Sequence, residues 1–315
     1  MEDGEWRMRD WESGTEQRVT SNEQRAVSKE RFSYRRAGSV EEAVRLLNEP
    51  GVRSRALAGG TDLMLRLRHE KVDFDRLVDV SLVPEMRRIE RQDGRIVIGA
   101  SVTFSDLLKS PLIRQEVPML AEMAAEAGAV QLRNMGTLGG NIANAALAAD
   151  SLPVLICLEA QAILASAQGR WEMPVVELVV GPHRTRLEPG TLIVGFAFEP
   201  PPSGARTTFF KIGRRNALNI ARLSVAAIGR CDTSGRVDLL RLVPGAALPH
   251  THRVTEVEDM LLGRVPDPDL LAAAGQRMAE VMVAEAGRRW STPYKEPAIA
   301  ALTERALRSV LVTRY

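Results

Sequence analysis

The stretch ALAGGTDLM, residues 56–64, decides the reading of this chain together with a second, TLGGNIANA, residues 137–145. Each sets two adjacent glycines beside hydroxyl, amide or carboxylate side chains. Glycine admits positive φ and lets main-chain N–H groups approach a ligand with no Cβ between them. Successive N–H groups in such a bend form a concave anion site. In the first stretch a strand-like Arg55-Ala-Leu-Ala58 runs into Gly59-Gly60, Thr61 can add a side-chain donor, and the apolar Leu63, Leu65 and Leu67 follow. The second follows an alanine-rich helical pattern over 118–127, with Leu120, Met123, Ala124 and Ala127 on one stripe. Two such bends on separate α+β units predict one long phosphate-containing ligand in a cleft between subdomains. Neither G-x-G-x-x-G nor G-x-x-x-x-G-K-S/T occurs, so a Rossmann domain or a P-loop would need a different spacing.

Outward from these bends the pattern is α+β. Ser39-Val-Glu-Glu42 has the form of a capping box and opens a helix that Pro50-Gly51 ends. Residues 77–80 read as a strand. Residues 86–100 read as a hairpin turning at Gln92-Asp-Gly94, with Ile96 and Ile98 alternating on the return. A short capped helix begins near Thr103, and 152–158 is a compact apolar segment. Strand patterns recur at 161–166, 192–198, 207–212, 221–228 and 237–243. The run Pro-Pro-Pro-Ser-Gly at 200–204 is a linker signal. Helical patterns close the chain at 254–262, 269–286 and 297–312. Residues 1–31 are charged and poor in branched aliphatics, and read as a tail. The expected units are 32–204, with subdomains of about 32–84 and 85–204, and 205–315, a small sheet followed by helices.

The 315 residues are 45% hydrophobic, enough for about two domains. Net charge is only +2, with acids and bases interleaved, which argues against nucleic acid as a partner. Cys157 and Cys231 stand far apart without a C-x-x-C, so neither a disulfide scaffold nor an iron–sulfur cluster is expected within the chain. The start lacks the apolar centre of a secretory signal, and no run approaches the ~20 apolar residues of a membrane span. A cytoplasmic protein is expected. His250-Thr-His252 reads as a polar loop, His69 and His183 as surface residues, and no metal site is expected.

The ordered motifs Ala58-Gly-Gly-Thr-Asp-Leu63, Gly99-Ala100, Gln131-Leu-Arg-Asn134, Thr137-Leu-Gly-Gly-Asn141 and Ala148-Ala-Asp150 resemble the FAD-binding subunits of the molybdenum hydroxylases, the group of xanthine dehydrogenase and molybdenum carbon monoxide dehydrogenase. Lys211-Ile-Gly-Arg-Arg215, Asn219-Ile-Ala221 and Ser291-Thr-Pro-Tyr294 extend the likeness over roughly 32–312. The resemblance implies a two-subdomain FAD domain of the vanillyl-alcohol-oxidase (PCMH) type and a small C-terminal domain of sheet and helices. It implies non-covalent FAD held by Leu57, Ala58, Gly59, Gly60, Thr61, Asp62 and Leu63 around the pyrophosphate. Gly136, Thr137, Gly139, Gly140 and Asn141 would line the cofactor from the second subdomain, Asp150 would contact it, and Val194, Lys211 and Ile220 would lie near the flavin ring. By the same analogy no residue here is catalytic in its own right. Molybdenum cofactor and 2Fe-2S clusters belong to a large and a small partner subunit, in a dimer of heterotrimers. Electrons leave FAD for an external acceptor, whether NAD, oxygen, a quinone or a carrier.

Three positions depart from the family pattern. Asn219 replaces a frequent aspartate, Ala127 stands where xanthine dehydrogenases carry a flavin-stacking phenylalanine, and Leu147 replaces a proline. The competing expectation is a stand-alone flavoenzyme of the same fold, such as an enolpyruvyl-sugar reductase. It needs a catalytic serine or cysteine and a glutamate, a set that cannot be placed in the C-terminal third.

Overall fold

The computed structural model describes residues 32–69, 73–214 and 220–312. Three short parallel strands come first: β1 (Ser33–Arg36), β2 (Ser54–Leu57) and β3 (Arg76–Asp79), in the order β1-β3-β2. The helix Val40–Leu47 crosses between the first two and buries Val40, Ala43, Val44, Leu46 and Leu47. Ser39 caps it by accepting from the Glu42 N–H at 3.1 Å. The expected capping box is half formed, because the Glu42 carboxylate accepts from Gly38 N–H instead. The apolar run after Gly60 is a helix, Leu63–His69.

The second region is built on β4 (Ile89–Gln92), β5 (Arg95–Gly99), β6 (Gln161–Ser166) and β7 (Gly169–Pro174). It continues through the small pair β8 (Val179–Gly181) and β9 (Arg184–Thr185) to β10 (Leu192–Phe198). The five-stranded sheet runs β4-β5-β10-β6-β7, and every neighbouring pair in it is antiparallel. The turn between β4 and β5 places Asp93 at φ 50 and Gly94 at φ 81, the two positive angles that a two-residue hairpin turn favours. Strand β7 has mostly exposed side chains, so it carries no apolar alternation that would mark it in the sequence. The helices Phe104–Lys109, Pro111–Glu116, Pro118–Glu126, Val130–Met135, Leu138–Asn144 and Ser151–Cys157 lie between β5 and β6 in the chain.

The last sheet is β11 (Arg206–Ile212), β12 (Leu223–Cys231) and β13 (Val237–Gly245), antiparallel and in sequence order. Strand β12 is buried on both faces. Leu223, Val225 and Ala227 join the core formed with the helices Pro268–Ala286 and Thr292–Leu311. Ala226 and Ile228 join the larger core that holds the helices Pro118–Glu126 and Ser151–Cys157. The period of two thus fastens this sheet to both layers. Helix Thr292–Leu311 begins ahead of the expected 297, because Pro293 sits in the first turn where a missing N–H is harmless; Pro297 lies inside the helix. Among the described residues no helix is long and apolar enough to cross a membrane. The expected tail, the side chain of His69, Arg215 and Asn219 lie outside the described residues.

Candidate functional site

Strand β2 ends at Leu57, and the chain bends at Gly59-Gly60. Gly60 has φ +69, which an L side chain adopts only with strain. Gly59 is bare for another reason. A Cβ there would sit 1.9 Å from the carbonyl oxygen of Met135 and 3.2 Å from Gly136 Cα. The first bend therefore presses on the residues that lead into the second.

The second stretch opens the helix Leu138–Asn144, which Thr137 caps by accepting from Gly140 N–H at 3.0 Å. Its two glycines face different ways. Gly139 is buried, and its N–H donates to the Ala100 carbonyl at 2.8 Å. A Cβ on it would lie 2.5 Å from Ala100 Cβ. Gly140 is exposed, and a Cβ on it would meet only the Thr137 hydroxyl, at 2.9 Å. One expected cause for all the bare positions thus divides into three: Gly59 and Gly139 admit other main chain, Gly60 admits a turn, and Gly140 leaves a surface open.

That surface is one wall of a groove. Residues 57–63, Gly136, Thr137, Gly140 and Asn141 all line it, with Phe104 and Asn144 beside them. Gly139 stands behind the wall. Asn144 Nδ2 donates to Asp62 Oδ1 at 3.0 Å and ties the two bends together. The groove, open to solvent along one side, has a volume of about 160 Å3. Asn144 and Phe104 were not singled out in the sequence. Asn144 lies within TLGGNIANA itself, whereas the place of Phe104 depends on its N–H bonding to Gly136 O at 3.2 Å, a contact no local pattern signals.

Asn141, on the groove wall, is linked through hydrogen bonding to the neighbourhood of a buried ion pair. Asn141 Oδ1 accepts from Ser151 Oγ at 2.6 Å, and Ser151 follows Asp150. Asp150 Oδ2 accepts from Lys211 Nζ at 2.6 Å, and Lys211 also donates to the Glu126 carbonyl at 3.0 Å. The two side chains are 11% and 2% exposed. Asp150 occupies the position before the helix Ser151–Cys157 without capping it through its side chain, which is turned to Lys211. Its Oδ1 is buried and bonds no described group. An acceptor left so is costly unless a donor is supplied.

Burial pushes the Asp150 carboxyl up to about 6; Lys211 opposes the shift and Glu126 adds to it. Since the folded value lies above the unfolded one, the folded chain binds the extra proton between about pH 4 and 6. Stability from this group is present below that window and is lost as pH rises through it. Melting temperature measured against pH should show this loss in the wild type and a flatter profile in Asp150→Asn. Superimposable profiles would remove Asp150 as the titrating group.

The other expected residues lie apart from the groove. Val194 is in the main core, and its carbonyl accepts from Ala100 N–H at 2.8 Å. Ile220 is 80% exposed and borders a separate cleft. Arg133, within the third motif, donates to the carbonyls of Gly128 and Ala125 and so anchors the end of the helix Pro118–Glu126. His250 Nε2 bonds the carbonyls of Val176 and Val179, and His183 Nδ1 that of Asn144.

Residues 30–198 match the family described as the FAD binding domain in molybdopterin dehydrogenase, and residues 208–310 match the CO dehydrogenase flavoprotein C-terminal domain. The chain is 31% identical over 280 residues to the 6-hydroxypseudooxynicotine dehydrogenase complex subunit alpha of Paenarthrobacter nicotinovorans, covering 89% of this chain and 94% of that one. It is 29% identical to the xanthine dehydrogenase FAD-binding subunit of Escherichia coli O157:H7, covering 87% and 94%. Among solved structures, the carbon monoxide dehydrogenase from Hydrogenophaga pseudoflava that lacks the Mo-pyranopterin moiety superposes with a TM-score of 0.82 at 28% identity, covering 89% of this chain and 97% of that chain.

Proposed function

The chain belongs to the molybdenum hydroxylase family as an FAD-binding medium subunit, and from that premise we propose that it takes electrons from a 2Fe-2S subunit and passes them, through FAD, to an external acceptor. Two features of the chain suit the cofactor. Gly140 leaves a surface that a Cβ would fill, facing the Gly59-Gly60 bend. Beside Ser151, which bonds Asn141, Asp150 Oδ1 is a buried acceptor waiting for a donor. We assign the main chain of residues 57–63, with Thr137, Gly140 and Asn141, to the pyrophosphate and its neighbours, and Asp150 and Lys211 to the flavin end. Lys211 holds the Asp150 carboxylate in place, and its own charge favours electron density placed beside it.

The groove, at about 160 Å3, is smaller than the ~300–1,000 Å3 pocket of a drug-sized ligand, so it suits the middle of a dinucleotide rather than its whole length. FAD, when bound, supplies the redox chemistry that joins one-electron and two-electron carriers. The protein contributes position and electrostatics, and the organic substrate is handled on a partner. We take residues 32–204 as the cofactor-holding unit and 205–315 as the unit that closes over its flavin end, in a cytoplasmic complex with a molybdenum subunit and an iron–sulfur subunit. The facing of the two bends across one groove is the observation that carries this reading.

A native preparation tests it. The chain should copurify with a large molybdenum-containing subunit and a small iron–sulfur subunit, with about one FAD per copy released on denaturation. A lone chain that turns over an organic substrate by itself would refute the assignment as an electron-transfer subunit.

A further inference from the structure

A second cleft opens on the far side of Leu147 and Ala148, two to three residues before Asp150. A half-open pocket of about 130 Å3 adjoins it, and Leu147, Ala246, Ser291 and Lys295 line both. Four cations line the two, Arg214, Arg222, Arg289 and Lys295, and the last three come together from different elements. Arg222 precedes β12, and its N–H bonds Ile212 O at 2.8 Å. Arg289 lies in the turn between the two long C-terminal helices, with Nε donating to Ala286 O at 3.1 Å. Lys295 lies one turn into the helix Thr292–Leu311, with Nζ donating to Ala246 O at 2.8 Å.

Their bonds go to carbonyls and to a ring, since the Arg222 guanidinium lies 5.7 Å from the Tyr294 ring centre. Among the described residues no carboxylate pairs with any of the three. The nearest acid on the helix, Glu296, bonds Arg288 instead. The helix has no acidic residue in its first turn, and its first N–H groups already bond inward, Thr292 to Arg289 O and Tyr294 and Lys295 to Ser291 O, so the charge here comes from side chains. Burial and the neighbouring Arg222 and Arg289 lower the pKa of the Lys295 ammonium, the mark of positive charge that lacks a counter-charge. Trp290, 85% exposed, lines the same cleft.

Concentrated like charge is unfavourable unless a ligand supplies the opposite sign. We propose that the side chains of Arg222, Arg289 and Lys295 form an anion site that takes the phosphate groups of a nucleotide, whose base stacks on Trp290. The half-open pocket beside Lys295 leaves room for a phosphate group held by charge-assisted bonds, and the wider cleft leaves room for a base beside Trp290. The site stands apart from the Gly140 groove and does not depend on the flavin reading.

Calorimetric titration of the FAD-loaded protein with ADP, inorganic pyrophosphate and adenosine tests this, with bound flavin followed by absorbance. ADP and pyrophosphate should bind saturably and adenosine should not. ADP should bind more tightly than pyrophosphate, and Trp290→Ala should abolish that difference. Lys295→Gln and Arg222→Gln should each weaken ADP by about tenfold or more, Lys295→Arg should restore part of the loss, and added salt should weaken every anion. Flavin content should not change. No saturable binding, equal affinity in the folded Arg222→Gln variant, or FAD released in step with added ADP would overturn the proposal. The last result would assign the three cations to the flavin's own site.

Discussion

Replacing Gly140 with valine is expected to strip FAD from a protein that still folds. Gly140 is exposed on the groove wall, and the only protein atom a Cβ would crowd is the Thr137 hydroxyl. Losing that capping bond costs about 1 kcal/mol, and replacing a glycine inside a helix with β-branched valine returns roughly a few tenths of that. The fold should therefore change little. The ligand has no such compensation, because the branched side chain occupies the space opposite the Gly59-Gly60 bend. Overpacking of ~1–3 kcal/mol corresponds to a loss of roughly 10–100-fold in affinity. Flavin absorbance per chain after purification, read beside far-ultraviolet circular dichroism, measures both effects. Full flavin content in the variant would place the cofactor elsewhere.

Gly59→Ala should do the reverse and act on the fold itself. Its Cβ would stand 1.9 Å from a main-chain carbonyl that also belongs to the approach to the second bend. Main chain cannot swing aside as a side-chain tip can, so β2 and the segment around Met135 must separate. A loss of about 3 kcal/mol or more is expected, a drop in melting temperature of roughly 6 °C or beyond for a chain of this size. Gly139→Ala should act in the same way, because its Cβ would lie 2.5 Å from Ala100 Cβ and 2.8 Å from the Ala100 carbonyl oxygen, both fixed to main chain. Calorimetric melting of the two variants against Gly140→Val separates glycines kept for packing from the one open to a ligand. Equal melting of all three would undo that division.

The sequence carried the architecture better than the purpose of each residue. The turn signal Gln92-Asp-Gly94 is local, and so is the alternation of Ile96 and Ile98, whereas 221–228 is legible as a short apolar run because β12 is buried on both faces. Strand β7 was not, since its side chains are mostly exposed and it is held by pairing with β6. The two glycine bends were legible as a pair, but which glycine is open was not. That is decided by Met135 and Ala100, which approach from distant parts of the chain. The Asp150–Lys211 bond spans 61 positions, and the likeness to the family marked both residues without saying that they meet. Arg222, Arg289 and Lys295 each look like ordinary surface cations in the sequence. Only the fold gathers them, and only there is the lack of a carboxylate visible.

The most direct test is an experimental density map of the chain loaded with FAD. The pyrophosphate should lie within hydrogen-bond distance of main-chain N–H groups in residues 58–62, against Gly140, with Asp150 Oδ1 accepting from the cofactor. Density for FAD outside that groove, or a groove closed by protein while flavin is bound elsewhere, would contradict the account.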